Sequence, residues 1–369
     1  MQERLISQNQ SALNYFLSNN KSIHYHKIEE VDLFEEGIMS FLERKKWGFY
    51  DILICKTVFK NDTVSKIVLI GATQSKSNDL ALFATNYDKP LKLSGAAKII
   101  GDVKIPIGNF GQAYINGPTG NSIIQKGKQI KSEDKFPKID KDIYVNSDGL
   151  PRFSLTKLHK DSLIINGFDK PTKVLDLNSI QVLKDINCKG NFILVSDREL
   201  EIDKSSKLSD VVIIAPKVKI ASGFKGNLQI IAREEVIVDE EVSLLYPSSI
   251  YIKNDVGTVS VDIKKNSTLI GGIVIDGNTY NKSLEHKLTI EENALVVGTI
   301  YCYGSTQLKG EVIGRIYSDR FFLKTDASNY ENIILNGSID SESLPKDFIE
   351  LPLFNNISTE KRYAVIKEL

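Results

Sequence analysis

The chain has 369 residues, of which 41% are hydrophobic, so it is long enough to bury a substantial core in two domains or one elongated domain. Lysine plus arginine and aspartate plus glutamate both number 47, and the two signs are interspersed, which argues against nucleic acid or an acidic membrane surface as a partner. No apolar run approaches the roughly 18–20 residues needed to cross a bilayer, and the first residues, MQERLISQNQ, lack the apolar centre of a signal peptide.

The N-terminal region, residues 1–90, is predicted to combine helices with an antiparallel hairpin. Apolar residues recur at helical spacing in Met1–Ser18 and again in Val31–Arg44, which predicts two amphipathic helices. WGFYDILICKTVF and VSKIVLIGAT then read as two strands joined by a turn at Lys60–Thr63. A helix followed by an antiparallel meander also resembles the folded part of pilins and pseudopilins, in which case an apolar half-helix would precede Met1.

The middle of the chain, residues 91–340, contains a recurring glycine pattern. Gly271, Gly298, Gly314 and Gly337 each stand two residues before an isoleucine, with spacings of 27, 16 and 23 residues. Looser copies with another apolar residue in the third place begin at Gly101, Gly190 and Gly226. Glycine before a strand suits a tight corner or a close approach of backbones.

The segments that follow these glycines have the composition of strands. NFILV, VVIIA, LQIIA, SIYIK, GIVID, TIYCY and RIYSD are short, rich in β-branched or aromatic residues, and bounded by turn formers. Such strands could form a sandwich or barrel, but the recurring pattern favours a parallel solenoid. Side-chain alternation then places Ile273, Ile300, Ile316 and Ile339 in an inward ladder. Their neighbours Val274, Tyr301, Tyr317 and Asp340 would face outward, and Tyr301 and Tyr317 would form an external aromatic pair and a possible binding face.

Residues 266–340 resemble the polymer-forming β-helix family called bactofilins, through STLIGGIVIDG, NALVVGTIYCYGSTQLKGEVIGRIY and LNGSID. The similarity extends loosely back to Cys188, and SGAAKIIGDVKIP at residues 94–106 has the same character. The resemblance implies a right-handed β-helix with a structural role, which assembles end to end without a nucleotide. The chain departs from that family in its large N-terminal region and in its last 29 residues, 341–369, which could cover the terminal coil. A chain capped in this way would be a rigid rod or spacer rather than a filament subunit.

The predicted fold class is therefore mainly β: a right-handed parallel β-helix with an N-terminal α+β region and a C-terminal cap. A charged, breaker-rich loop is expected near residues 126–150, and about eight coils at roughly 4.8 Å each would give a rod of about 40 Å.

A search for catalytic chemistry yields weak candidates. Cys55, Cys188 and Cys302 form no metal-ligand spacing and are expected to be small buried hydrophobes. His24 and His26 form a pair without a third histidine nearby, and His159 and His286 are expected at the surface. The glycine-rich Gly108–Gly120 lacks the features of a phosphate loop and reads as a long turn.

The remaining candidate residues are those that two classes of solenoid enzyme would require. A polysaccharide lyase or hydrolase needs carboxylates on adjacent coils, and Asp197, Asp203 and Asp210 or Asp239, Glu240 and Glu241 are spaced like turn residues instead. A hexapeptide acyltransferase would need an aliphatic residue before each of Gly298, Gly304 and Gly310, and it is present only at Val297.

We therefore expect no enzyme, no cofactor and no metal. The leading hypothesis is a structural protein of the bacterial cell envelope or cytoskeleton that assembles with itself or with other envelope proteins. Its compartment stays undetermined, with membrane attachment only through a segment absent from this sequence. The alternative is a glycan- or peptidoglycan-binding or polysaccharide-acting β-helix protein.

Overall fold

The fold is mainly β and contains a large parallel sheet, as seen in a computed structural model. The structure describes residues 2–18, 25, 27–73, 80–115, 122–139, 147, 149–154, 162–277, 285–354 and 363–369. In these residues the α-helical part is α1, Gln2–Ser18, and a short 3₁₀ turn covers Pro106–Gly108. The predicted first helix is therefore confirmed.

The N-terminal sheet is antiparallel and begins with four consecutive strands: β1 Ile28–Val31, β2 Met39–Trp47, β3 Tyr50–Phe59 and β4 Asp62–Ala72. The predicted hairpin is β3–β4, with its turn at Lys60–Asn61. The second predicted helix, Val31–Arg44, is wrong. Val31 ends β1, and burial alternates along β2, where Leu42 and Arg44 are buried while Phe41 and Glu43 are half-buried. This part therefore has the two-residue period of a strand.

The remaining strands follow in chain order and are mostly short. They are β5 Leu80–Ala84, β6 Lys92–Ser94, β7 Lys98–Ile100, β8 Asp102–Ile105, β9 Gly111–Gln112, β10 Ile124–Lys126, β11 Gln129–Lys131, β12 Arg152–Ser154, β13 Ser162–Asn166, β14 Lys173–Asp176, β15 Val182–Leu183, β16 Ile186–Gly190, β17 Phe192–Val195, β18 Leu200–Ile202, β19 Lys207–Ile214, β20 Lys217–Ile220, β21 Lys225–Ala232, β22 Glu235–Val238, β23 Ser243–Lys253, β24 Val259–Ile263, β25 Thr268–Asp276, β26 His286–Ile290, β27 Leu295–Leu308, β28 Glu311–Lys324, β29 Asn329–Glu331, β30 Ile333–Leu335, β31 Ser338–Asp340 and β32 Tyr363–Glu368.

Most strands between β12 and β28 pair in parallel with a strand that lies one or two elements further along the chain. One series of pairings runs β12–β14–β17–β19–β21–β23–β25–β27–β28. A second runs β15–β18–β20–β22–β24–β26–β27. A third series pairs β13 with β16, and β16 with the first residues of β19. The long strands serve more than one series because register shifts divide them into segments.

The large sheet continues from β28 into a part of the chain that precedes it in sequence. β28 pairs in parallel with β5 and with β31, β5 pairs with β8, and β31 pairs with β7. β10 and β11 then add to β7 and β8. The predicted unit 91–340 therefore does not stack in sequence order. β5, β7, β8, β10 and β11 lie beyond β28, at the opposite end of the sheet from β12.

The predicted charged loop near residues 126–150 is in part a strand, because β11 covers Gln129–Lys131. Further along it, Phe136 packs against the rings of Tyr301 and Tyr303. In the glycine-rich stretch the described residues 108–115 include β9, and residues 116–120 lie outside the described part.

The C-terminal residues that the structure describes, 341–354 and 363–369, do not cover an end of the large sheet as predicted. Leu351 and Leu353 pack against the aromatic residues of the large sheet's outer face, and β32 pairs antiparallel with β4 at the edge of the N-terminal sheet. The physical reason is burial: this route covers apolar side chains that the large sheet would otherwise expose.

Three apolar clusters hold these layers together. The largest fills the interior side of the large sheet. The second lies between the large sheet and the N-terminal sheet and contains Trp47, Phe49, Tyr251 and Tyr301. The third joins Ala12, Leu13 and Phe16 of α1 to the opposite face of the N-terminal sheet.

Candidate functional site

Three of the four predicted ladder residues are in register on consecutive strands. Ile273 pairs with Ile300, and Ile300 pairs with Ile316, all fully buried. Ile339 lies in a different series, between Val312 and Ile99. The ladder is also longer than predicted, since twelve strands contribute to it. We call these residues the inner ladder: Phe153, Leu175, Leu194, Ile213, Ile230, Ile250, Ile273, Ile300, Ile316, Leu82, Val103 and Gln129.

The glycines that precede these isoleucines form their own file. Gly271, Gly298 and Gly314 are register partners with φ of 144°, 122° and 142°, a region that favours glycine. A Cβ on Gly298 would lie 2.0 Å from the carbonyl oxygen of Gly271, and one on Gly314 would lie 2.0 Å from that of Gly298. The repeated glycine therefore marks a file where each backbone rests directly on its neighbour. Gly337 lies outside this file, before β31.

Tyr301 and Tyr317 do not form an exposed face. They point away from the inner ladder, but only 2% and 7% of their surfaces are exposed. The Phe136 and Phe354 rings cover them, and the Tyr301 hydroxyl donates to the Pro137 carbonyl at 2.9 Å. Burial raises the pKa of Tyr317 to about 12. Alternation along a strand predicted the side of the sheet correctly, but it carries no information about what covers that side.

The N-terminal sheet is fastened to the large sheet through Gln229. Its Oε1 accepts the Phe49 N–H at 2.7 Å, and its Nε2 donates to the Trp47 carbonyl at 3.0 Å. The Ser249 hydroxyl lies 3.2 Å from the same Oε1. One buried amide therefore bonds to a backbone donor, the Phe49 N–H, and a backbone acceptor, the Trp47 carbonyl, of the β2–β3 turn. Nothing in the sequence predicted this contact.

The C-terminal segment is fastened to the same face by an ion pair. Arg315 is 4% exposed and its guanidinium contacts the Glu350 carboxylate, which also accepts from the Thr299 hydroxyl at 3.3 Å. Burial raises the pKa of Glu350, against the opposing effect of Arg315. The Arg315 Nε has no hydrogen-bond partner in the described residues, so the pair serves as an anchor rather than a fully satisfied network.

The two ends of the large sheet differ in character. At the first end, the inner ladder finishes with Phe153, which is 53% exposed, and only β14 pairs with β12 in the described residues. At the second end, the inward positions of β10 and β11 are Gln125 and Gln129, whose side chains hydrogen-bond to each other at 3.0 Å. Gln129 Oε1 also accepts the Phe110 N–H at 3.0 Å. One end is therefore apolar, and the other is closed by a polar pair.

Four of the six carboxylates that could have served a polysaccharide enzyme are engaged in other contacts. Asp197 hydrogen-bonds to Asn178 in a neighbouring turn, and Asp203 accepts the Ser205 N–H within its own turn. Asp210 contacts Asn227 and Lys367, and Asp239 lies 3.4 Å from Lys219. Within the described part of the chain, no group of three histidine, cysteine or acidic side chains is arranged to hold a metal ion.

The cysteines are buried and unpaired, as predicted. Burial raises the pKa of Cys55 to about 11 and those of Cys188 and Cys302 to about 12, so none is a ready nucleophile at neutral pH.

His286, predicted at the surface, is instead buried at an inward position of β26, where Gly277 leaves room for its ring and Gly304 for its backbone. His24, His26 and His159 lie outside the described residues.

Comparisons with known proteins give little. No family model matches the chain, and no curated protein matches it. Among solved structures, the competence-associated pilin ComZ from Thermus thermophilus aligns with 100% of this chain and 95% of its own, at 10% identity and a TM-score of 0.27. That similarity is too low to indicate a shared fold. In the described residues, no helix has the length and apolar character needed to span a membrane.

Proposed function

We propose that the large sheet forms a right-handed parallel β-helix and that the protein is a non-enzymatic structural subunit built around this rod. The three series of parallel pairings and the continuous inner ladder support a solenoid. The resemblance to bactofilins supports the right hand, and so does the strong preference of parallel crossover connections for that hand. The N-terminal sheet and the C-terminal segment stiffen one side of the rod.

The apolar end at β12 and β13 is the assembly surface in this proposal. Phe153 continues the inner ladder but has no further apolar layer in the described residues, and it is 53% exposed. Leu163 and Ile165 on β13 are 60% and 61% exposed. Exposed apolar side chains beside an unpaired strand edge favour pairing with another chain. The observation that carries the proposal is the contrast between Phe153 and the Gln125–Gln129 pair at the opposite end.

A second copy of the same chain is the proposed occupant of that end. Two copies joined through identical surfaces would form a closed two-fold pair, the commonest arrangement among homo-oligomers. The glutamine-closed ends would then face outward and stop further growth. The protein would be a rigid spacer of defined length in the bacterial cell envelope or cytoskeleton, rather than the subunit of an open filament.

The alternative of glycan recognition through Tyr301 and Tyr317 is not retained, because both rings are buried. A lyase or hydrolase is not favoured either, since Asp197, Asp203 and Asp210 are engaged in turn contacts and Asp239 is paired with Lys219.

Sedimentation equilibrium tests the proposed function. The wild-type protein should show a concentration-dependent mass that reaches twice that of one chain. Phe153→Lys should shift the equilibrium to single chains, because it places a charge where the second copy would pack. Ile130→Lys, at the glutamine-closed end where Ile130 is 45% exposed, is the matched control and should leave the dimer intact. Species larger than a dimer that disappear in Ile130→Lys would contradict the proposal that the Gln125–Gln129 end is closed to assembly.

A further inference from the structure

A row of polar side chains crosses the outer face of the second pairing series. Six residues on six consecutively paired strand segments are register partners there, and each is followed by a buried residue: Lys217, Glu235, Ser260, Lys287, Ser305 and Arg320. In the described residues, the N-terminal sheet packs on the face that carries Tyr301 and not on this one. Five steps of about 4.8 Å make the row roughly 24 Å long.

Two adjacent clefts follow this row. The first has a volume of about 570 Å³ and extends from Lys217 to Lys287, and the second has about 640 Å³ and extends from Lys287 to Arg320. Glu285 and Lys287 line both clefts, so the two are neighbours along the row, and we refer to them together as the groove. A groove of this shape suits an extended chain better than a compact small molecule.

The second cleft contains a tyrosine ring that is both exposed and fixed. Tyr87 is 44% exposed, and its hydroxyl donates to the Asp319 carboxylate at 3.0 Å. The Arg320 guanidinium carbon lies 4.4 Å from the centre of the Tyr87 ring. These contacts hold the ring in one orientation beside the groove, and Tyr330 lines the same cleft. A preorganised aromatic face loses little conformational entropy when a ligand packs on it.

The charges of the groove nearly cancel. Five basic residues line it against four acidic ones: Lys89, Lys217, Lys287, Arg320 and Lys324, and Glu234, Glu235, Glu285 and Glu331. Several of them are paired, including Lys89 with Glu331 at 3.2 Å and Lys217 with Glu234 at 3.8 Å. A polyanion such as nucleic acid would need a clear positive excess. Exposed ion pairs instead present donors and acceptors side by side, which is what hydroxyl groups require, since each both donates and accepts.

We propose that this groove binds a linear, uncharged oligosaccharide laid along the polar row, with one sugar ring packed against Tyr87. The apolar face of a sugar ring would cover the exposed part of the tyrosine, and the sugar hydroxyls would bond to the row residues. This site lies on a different face from the buried tyrosines and does not depend on the proposed assembly of the protein.

Calorimetric titration of the full chain tests the proposal, using hexamers of β-1,4-linked glucose and of β-1,4-linked N-acetylglucosamine as neutral probes and polygalacturonate as a charged one. At least one neutral hexamer should bind, with an affinity that changes less than twofold between low and high salt, because no ionic contact is lost on screening. Tyr87→Ala should weaken binding about tenfold, as expected for loss of an aromatic contact. Tyr87→Phe keeps the ring and should retain binding. Tyr114→Ala, where the exposed tyrosine lies outside the groove, is the matched control and should have no effect.

Lys287→Ala is a second variant, at a residue distant in sequence from Tyr87. It should also weaken binding, because Lys287 lines both clefts. Failure of both neutral hexamers to bind would overturn the proposal. Binding that Tyr87→Ala and Lys287→Ala leave unchanged would overturn it too, as would salt-sensitive binding of polygalacturonate alone.

Discussion

Leu82 pairs in register with Ile316, so a strand from the first quarter of the chain continues the inner ladder beyond β28. Both side chains are fully buried. The large sheet is thus assembled from two parts of the chain that are joined out of sequence order, and Lys98 and Asp340 form an ion pair at 3.0 Å across the same junction.

The first prediction tests this junction. Leu82→Ala should destabilise the protein by about 2–5 kcal/mol, as much as Ile300→Ala in the middle of the ladder, because both leave a cavity in the same close-packed core. Ile237→Ala is the control: Ile237 is half-buried on the outer face and should cost about 1 kcal/mol or less. Chemical denaturation measures all three. A small effect of Leu82→Ala beside a large effect of Ile300→Ala would show that residues 80–84 do not extend the core.

The glycine file gives the second prediction. Gly298→Ala should prevent stable folding or cost several kcal/mol, since its Cβ would meet the Gly271 carbonyl oxygen and its φ of 122° is unfavourable for alanine. Gly37→Ala is the matched control, because Gly37 also has positive φ, 73°, but a Cβ there meets nothing within 4 Å. Its cost should be only the backbone term of about 1–2 kcal/mol. Equal thermal stability of the two variants would contradict close backbone contact in the file.

Docking of the N-terminal sheet gives the third prediction, and Trp47 reports it as the single tryptophan of the chain. Gln229→Leu keeps the side-chain volume but leaves the Phe49 N–H and the Trp47 carbonyl without their partner. Each buried unpaired group costs about 1–3 kcal/mol. Trp47 fluorescence should therefore change at a lower denaturant concentration than in the wild type. Gln112→Leu, on the exposed side of β9, should not move this transition. If the denaturant midpoint of the Trp47 transition is unchanged in Gln229→Leu, the two hydrogen bonds of Gln229 do not fasten the N-terminal sheet to the large sheet.

The cysteines give the fourth prediction. At pH 8 the native protein should react with a thiol reagent at none of its three cysteines, and all three should react after unfolding. Their pKa values are raised by burial, so raising the pH to 9 should accelerate the reaction only slightly while the fold persists. Ser328→Cys, at an exposed position, is the positive control. Rapid labelling of Cys188 or Cys302 in the native protein would contradict their burial in the core.

Local features of the fold were predictable from the sequence, because each has a local cause. The period of α1 and the β3–β4 hairpin follow from residues that are neighbours along the chain, and the glycines of the file each stand two residues before an isoleucine of the following strand segment. Val31–Arg44 was mistaken for a helix because its apolar residues have helical spacing, whereas the segment contains the end of β1 and the first part of β2. The stacking of Leu82 on Ile316 could not be predicted, since nothing in the sequence around either residue indicates that β5 pairs with β28.

The candidate sites were less predictable than the fold. Tyr301 and Tyr317 were placed on the correct side of the sheet, but the elements that bury them, including Phe136 and the C-terminal segment, come from distant parts of the chain. The groove beside Tyr87 was missed for the same reason. Its lining residues are ordinary surface side chains until the register brings them into one row.

Electron microscopy of the purified wild-type protein tests the central claim most directly. Twelve strands in the inner ladder, separated by about 4.8 Å, would give the proposed rod a length of roughly 53 Å. We expect uniform short rods, present singly and as pairs joined at one end. Long filaments, or round particles without an elongated axis, would contradict a capped rod that pairs through its β12–β13 end.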